Sequence, residues 1–122
     1  MAAALANHYG ADVLKASSCG ISPTNVVPRN TVLAMREMNI DVSGHLPRLY
    51  NLRDAAACDI VINMSGYPLP GRKPKELIVW QVEDPMGLPM ENFRSARAVL
   101  ENRVMNLILE LRRRARRPSH RG

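Results

Sequence analysis

The run LIVWQVEDPMGLPMENFRSARAVLENRV, residues 77–104, changes its period partway along. Its first six residues, 77–82, are mostly β-branched, aliphatic and aromatic, and suit a short strand. A Gly/Pro loop follows, carrying Glu83 and Asp84 directly before Pro85. From Pro89 to about Arg114 the apolar residues Phe93, Ala96, Leu100, Val104, Leu107 and Leu111 recur at spacings of 3, 4, 4, 3 and 4. That is the stripe of an amphipathic helix. Strand, loop and helix in this order form the repeating unit of an α/β domain.

Upstream, the same alternation continues. CDIVINM, 58–64, is apolar and too short for a helix, so it reads as a strand buried on both faces. NLRDAAA before it is a short helix with Asn51 as its cap. Residues 29–38 form a helix behind Pro28, with Val32, Leu33, Met35 and Met38 as its apolar face. ADVLKASS gives a short strand around residues 12–17. Residues 2–9 are helix formers stopped by Gly10, which suits the C′ position. The expected architecture is α/β with a parallel sheet. Two features of the first helix stand out: it has no N-cap, and no strand precedes it.

The chain has 122 residues, enough for one domain with its own core. Aromatics are only 4%, so aliphatic side chains and the seven Met must fill the interior. No apolar run reaches the ~20 residues needed to span a bilayer. The opening MAAALANHYG lacks the basic start of a signal peptide, so a cytoplasmic location is expected. The net charge of +6 comes from the end: residues 112–122 hold six Arg and no acid, leaving 11 basic against 11 acidic residues elsewhere. Such a tail could meet nucleic acid or an anionic membrane. A solvated helix end is the plainer reading, because no aromatic residue is interleaved with it. The two cysteines, Cys19 and Cys58, give neither a disulfide framework nor a metal-ligand spacing, and Cys58 reads as a small buried residue.

Taken in order, MAAALANHYGADVLKASSCGISP, AMREMNIDVSGHLPR, DIVINM and WQVEDPMGLPMENFRSARAVLENRV resemble the low-molecular-weight protein-tyrosine phosphatases. That superfamily includes the thioredoxin-coupled arsenate reductases. The resemblance covers nearly all of residues 1–111 and leaves 112–122 as a basic tail. It implies a three-layer α/β/α fold around a small parallel sheet. It also implies a Cys-x5-Arg phosphate loop, in which a helix N-terminus and backbone N–H groups hold an oxyanion and lower the thiolate pKa. By resemblance, Asp84, with Pro85 behind it, matches the family's general acid/base. Ser18 and His45 match positions that brace the phosphate loop.

The phosphate loop itself is not found. Six positions beyond Cys19 stands Asn25, and six beyond Cys58 stands Met64. By the resemblance the sequence starts just after that loop, so the first central strand and the nucleophile are expected to be missing. In the family that strand lies inside the sheet. Four buried apolar side chains would contribute roughly 6–12 kcal/mol, comparable with a domain's net ~5–15 kcal/mol. A loose monomer or self-association is therefore expected. The leading expectation for function is a phosphatase-family protein, cleaving phosphomonoesters through a cysteinyl-phosphate and inactive in this chain. Its ligand would be a phosphorylated protein, a small phosphomonoester or another oxyanion, with no cofactor, no metal and no nucleic acid. One alternative is an arsenate reductase relative, which the absence of cysteine from NMSGYPLPGRKP disfavours. Another is a catalytically empty binding domain whose Arg-rich tail meets nucleic acid or anionic surfaces. The family's tyrosines near the Asp are absent here, which puts a preference for aryl phosphates in question.

Overall fold

A computed structural model describes residues 1–20, 27–45, 48–71 and 74–116. The elements in chain order are α1 (Ala2–Gly10), α2 (Arg29–Arg36), α3 (Leu52–Ala57), β1 (Val61–Asn63), β2 (Leu77–Val79) and α4 (Met90–Arg116). β1 and β2 pair in parallel, with Val61 opposite Leu77, Ile62 opposite Ile78 and Asn63 opposite Val79. Flanking bonds from Val61 N–H to Glu76 C=O (2.9 Å) and from Trp80 N–H to Asn63 C=O (3.0 Å) extend the ladder slightly. The architecture is a helix-rich α/β fold with a small parallel sheet, as the alternation of periods implies.

The core lies between helices. Leu5 and Ala6 of α1, Met35 of α2, Ile40, and Leu100, Val104 and Ile108 of α4 form one buried cluster, with Trp80 and Val82 packed against it. Leu5, Met35 and Ile108 are wholly inaccessible. Burying each such side chain contributes about 1.5–3 kcal/mol, before the entropy of ordering it is counted. On α4 the buried stripe is Phe93, Ala96, Leu100, Val104 and Ile108. Ile108, not Leu107, continues the expected series. A step of four from Val104 keeps the same face of a helix with 3.6 residues per turn, and α1 closes on that face.

Gly10 decides how closely α1 approaches. It is the last helical residue, not the expected left-handed C′ residue, and Ala11 after it keeps right-handed helical angles. A Cβ at Gly10 would lie 2.7 Å from Ile108 Cγ1 and 2.8 Å from Cδ1. The missing side chain lets the two helices touch.

The strand expected at residues 12–17 does not form. Residues 11–13 turn instead, with Val13 and Leu14 N–H both donating to Gly10 C=O. The segment after them finds no ladder partner among the described residues, and a strand without one leaves its backbone groups unpaired. The Asn7 side chain clasps Ala16, accepting from its N–H (2.8 Å) and donating to its C=O (2.9 Å). Pairing resumes only at Gly20, in an isolated parallel bridge to Leu49. β1 is also shorter and more open than expected: Asn63 is buried, while Val61 and Ile62 are half-buried. Asn51 caps α3 as the sequence indicates, accepting from Arg53 N–H (2.7 Å) and Asp54 N–H (3.4 Å).

Ion pairs tie the helices together at the surface. Glu37 accepts from Arg94 and Arg97 of α4, and Arg97 Nη1 also donates to Ala34 C=O (2.7 Å) at the end of α2. Arg112 binds Asp12 through two nitrogens and reaches Tyr9 C=O (3.1 Å). Arg113 and Arg114 bind Glu110, and Arg114 also binds Glu76. α4 runs unbroken past residue 111, so the first arginines of the basic tail serve as helix staples.

Candidate functional site

Asp84 lies midway along the loop between β2 and α4. Pro85 disfavours a helical conformation at Asp84. Its Oδ1 accepts from Met86 N–H (3.0 Å), forming an Asx turn, and Leu88 N–H donates to Pro85 C=O (2.9 Å). Gly87, at φ +79°, supplies the left-handed residue that closes the turn. The carboxylate is thus fixed in direction and exposed to solvent.

Asp84 and Pro85 line a groove of about 1030 Å³, whose walls also include Met1 at the head of α1 and Ala96 and Leu100 of α4. The loop after β1 faces into the same groove. The side chain of Asn63, the last residue of β1, donates to Tyr67 C=O (2.7 Å) and accepts from Ser65 N–H (3.0 Å) and Ser65 Oγ (2.7 Å). Tyr67 N–H in turn donates to Ser65 Oγ (3.2 Å). This network satisfies Asn63, the one buried polar residue among the described residues, and holds Tyr67 outward with its side chain largely exposed. From the sequence, Asn63 and Met64 read as the end of a strand and 65–74 as a loop. The Asn-x-Ser-Gly order carried the turn signal, but nothing in it located the groove.

Ser18 and His45, 27 residues apart, are brought together: Ser18 Oγ lies 3.2 Å from His45 Nε2. The turn before His45 is held by Asp41, which accepts from Ser43 N–H (2.9 Å) and Oγ (2.6 Å), and by His45 N–H donating to Val42 C=O. Those Ser43 bonds hold the Asp41 carboxyl below its ordinary pKa. Neither Ser18 nor His45 lines the groove that holds Asp84. Cys19 is exposed and Cys58 half-buried. Partial desolvation of its sulfur raises the Cys19 thiol pKa, against the lowering effect of Arg48. Met64 stands in the open, and Asn25 lies outside the described residues. Among the described residues no cluster of His, Cys, Asp or Glu could hold a metal ion, and no helix is long and apolar enough to cross a membrane.

Comparison with known proteins places this geometry in a family. A glutaredoxin arsenate reductase of Synechocystis is 32% identical over 117 residues, covering 91% of this chain and 87% of that protein. A solved structure of an arsenate reductase in its phosphate binding state superimposes with a TM-score of 0.80 at 32% identity, covering 90% of this chain and 86% of that one. An arsenate reductase structure from Archaeoglobus fulgidus gives 0.70 at 27% identity, over 88% and 86%. Residues 1–69, more than half the chain, match the family described as low molecular weight phosphotyrosine protein phosphatase. On that match, and on a relative that runs nearly its whole length, the chain belongs to this family.

Proposed function

We propose that this chain is the arsenate-reductase type of the family and supplies the acid/base side of an oxyanion site. One observation carries the reading: the match to the Synechocystis arsenate reductase runs through nine-tenths of the chain. The leading expectation of phosphomonoester hydrolysis therefore gives way to its alternative. In the proposed chemistry a thiolate attacks arsenic, and Asp84 protonates the oxygen that leaves as water. A second thiol, from a glutaredoxin- or thioredoxin-type reductant, attacks the first sulfur. The electron pair of the sulfur–arsenic bond stays on arsenic. The balance is one arsenate and two thiols giving arsenite, one disulfide and water. Such thiols belong to a reducing, cytoplasmic setting. Ser18 and His45 act as bracing residues, consistent with their hydrogen bond.

The 122 residues contain no Cys-x5-Arg. A general acid alone supplies roughly 10²–10⁴-fold, far short of what phosphoester hydrolases achieve, up to about 10²¹-fold. The chain by itself is therefore proposed to be catalytically silent. The test is a pair of assays on the purified chain, arsenate-dependent thiol oxidation with glutaredoxin and glutathione, and aryl-phosphate hydrolysis. Background rates are expected in both, and sustained aryl-phosphate turnover would contradict the proposal. Tyr67 favours a second reading, an aryl ligand whose ring packs against it in the groove, and direct binding of an aryl phosphate that is lost in Tyr67→Ala reads that out. Self-association is part of the proposal as well, because β1 and β2 each have only one ladder neighbour among the described residues. A molar mass that stays monomeric over a hundredfold range of concentration would count against it.

A further inference from the structure

The seam between β2 and α4 is tied at both ends and open in the middle. At one end Glu76, just before β2, takes Arg114 through two nitrogens, Nη1 to Oε1 at 2.9 Å and Nη2 to Oε2 at 3.1 Å. At the other end Arg103 Nη2 donates to Gln81 C=O at 3.4 Å. Between the ties lie Ile78 and Trp80, alternate residues of an extended chain and so on one face of it. Arg103, Asn106 and Leu107 meet them from α4, at the i, i+3 and i+4 spacing that puts helix residues on one side. These residues line a cleft of about 280 Å³. Its charge is uncompensated. Glu76 and Glu110, the carboxylates along the seam, are engaged by Arg113 and Arg114. Arg94, Arg97 and Arg112 of α4 likewise pair with Glu37 and Asp12. Arg103 is half-buried, yet among the described residues no carboxylate pairs with it, and its long bond to Gln81 leaves most of its N–H groups open.

We propose that this cleft binds a small aromatic carboxylate, its ring against Trp80 and Leu107 and its carboxylate on Arg103. A guanidinium beside apolar surface, with donors to spare, suits a carboxylate, which it can hold through two parallel hydrogen bonds. Ile78, Trp80 and Leu107 supply the apolar wall for the ring, and Asn106 adds an amide at the rim. The volume falls just under the ~300–1,000 Å³ usual for ligand pockets, which restricts the ligand to about one ring. Arg103 and Leu107 do not line the groove that holds Asp84, whereas Trp80 lines both hollows. The site does not depend on the arsenate-reductase reading, and its test uses no arsenate.

Trp80 is the chain's one tryptophan, so its fluorescence reports on the ring directly. The experiment titrates the whole purified chain with benzoate and, separately, with neutral benzamide, following Trp80 emission and the Arg103 Nε–H resonance. Benzoate is expected to quench Trp80 saturably and to move the Arg103 resonance, and benzamide to do neither at the same concentrations. Arg103→Gln should weaken benzoate binding roughly tenfold or more, as expected for losing hydrogen bonds to a charged group. Arg103→Lys should recover part of that loss, since it keeps the charge without the fork. Emission that never saturates, an equal response to benzamide, an Arg103 resonance that benzoate leaves in place, or benzoate binding undiminished in Arg103→Gln would overturn the proposal.

Discussion

Ser18 and His45 lie on segments that share no regular secondary structure, yet their side chains meet at 3.2 Å. Removing the hydroxyl tests whether that contact is held or incidental. Ser18→Ala should lower stability by about 1 kcal/mol or less, the net worth of an ordinary hydrogen bond. It should also shift the His45 ring resonances while leaving those of His8 in place. Unchanged His45 resonances would mean the contact does not persist in solution.

Gly10→Ala tests the closeness of α1 to α4. Alanine gains about 0.5–1 kcal/mol of helix propensity, but its methyl group would meet Ile108 at 2.7 Å. Overpacking of this kind costs typically 1–3 kcal/mol, so the net change should be a loss of about 1–2 kcal/mol. Trimming the neighbour should relieve it: the same substitution in an Ile108→Val background is expected to cost less, and a double-mutant cycle measures the coupling.

The facing of α4 separates two adjacent residues. Ile108 is fully buried and Leu109 is 58% exposed. Ile108→Ala should cost about 2–5 kcal/mol, and Leu109→Ala no more than about 0.5 kcal/mol. Chemical denaturation checks both, and equal losses would contradict the assigned face.

Acid should weaken the staple between α2 and α4. Hydrogen bonds from Arg94, and then from Arg97, hold the Glu37 carboxyl down at about 2, against an ordinary 4.5. A folded pKa below the unfolded one gives stability that is present above the unfolded value and lost as pH falls through the folded value. Glu110, held at about 2 by Arg113 and Arg114, acts in the same window. The melting temperature should therefore fall as pH drops from about 4.5 towards 2, as both carboxyls protonate. Glu37→Gln and Glu110→Gln should each flatten that limb. A limb unchanged by both substitutions would rule these pairs out as its cause.

These elements were legible in the sequence to different degrees. The α4 stripe could be read because a period of 3.6 sustained over about five turns has no competing explanation, and only its last members slipped, from Leu107 to Ile108. Asn51 was legible because a cap acts on residues two and three positions away. The strand at 12–17 was misread because its local pattern suits a strand while its pairing depends on a distant partner. Gly10 was misread for a related reason, since its contact lies 98 positions along the chain, at Ile108. The meeting of Ser18 with His45 was out of reach of spacing and periodicity, and only the family resemblance put the two residues together.

The proposed function puts Asp84 on the acid/base side of an arsenate-reductase site. Met1 and Asp84 line the same groove, so a segment joined ahead of Met1 would enter beside the carboxylate. The most direct test fuses a short strand and a Cys-x5-Arg loop in frame before Met1, then follows arsenate reduction with glutaredoxin and glutathione. The fused protein is expected to reduce arsenate, and Asp84→Asn within it to slow turnover by roughly 10²–10⁴-fold. A fused, folded protein that hydrolyses aryl phosphates but leaves arsenate untouched, or whose rate ignores Asp84, would contradict the account.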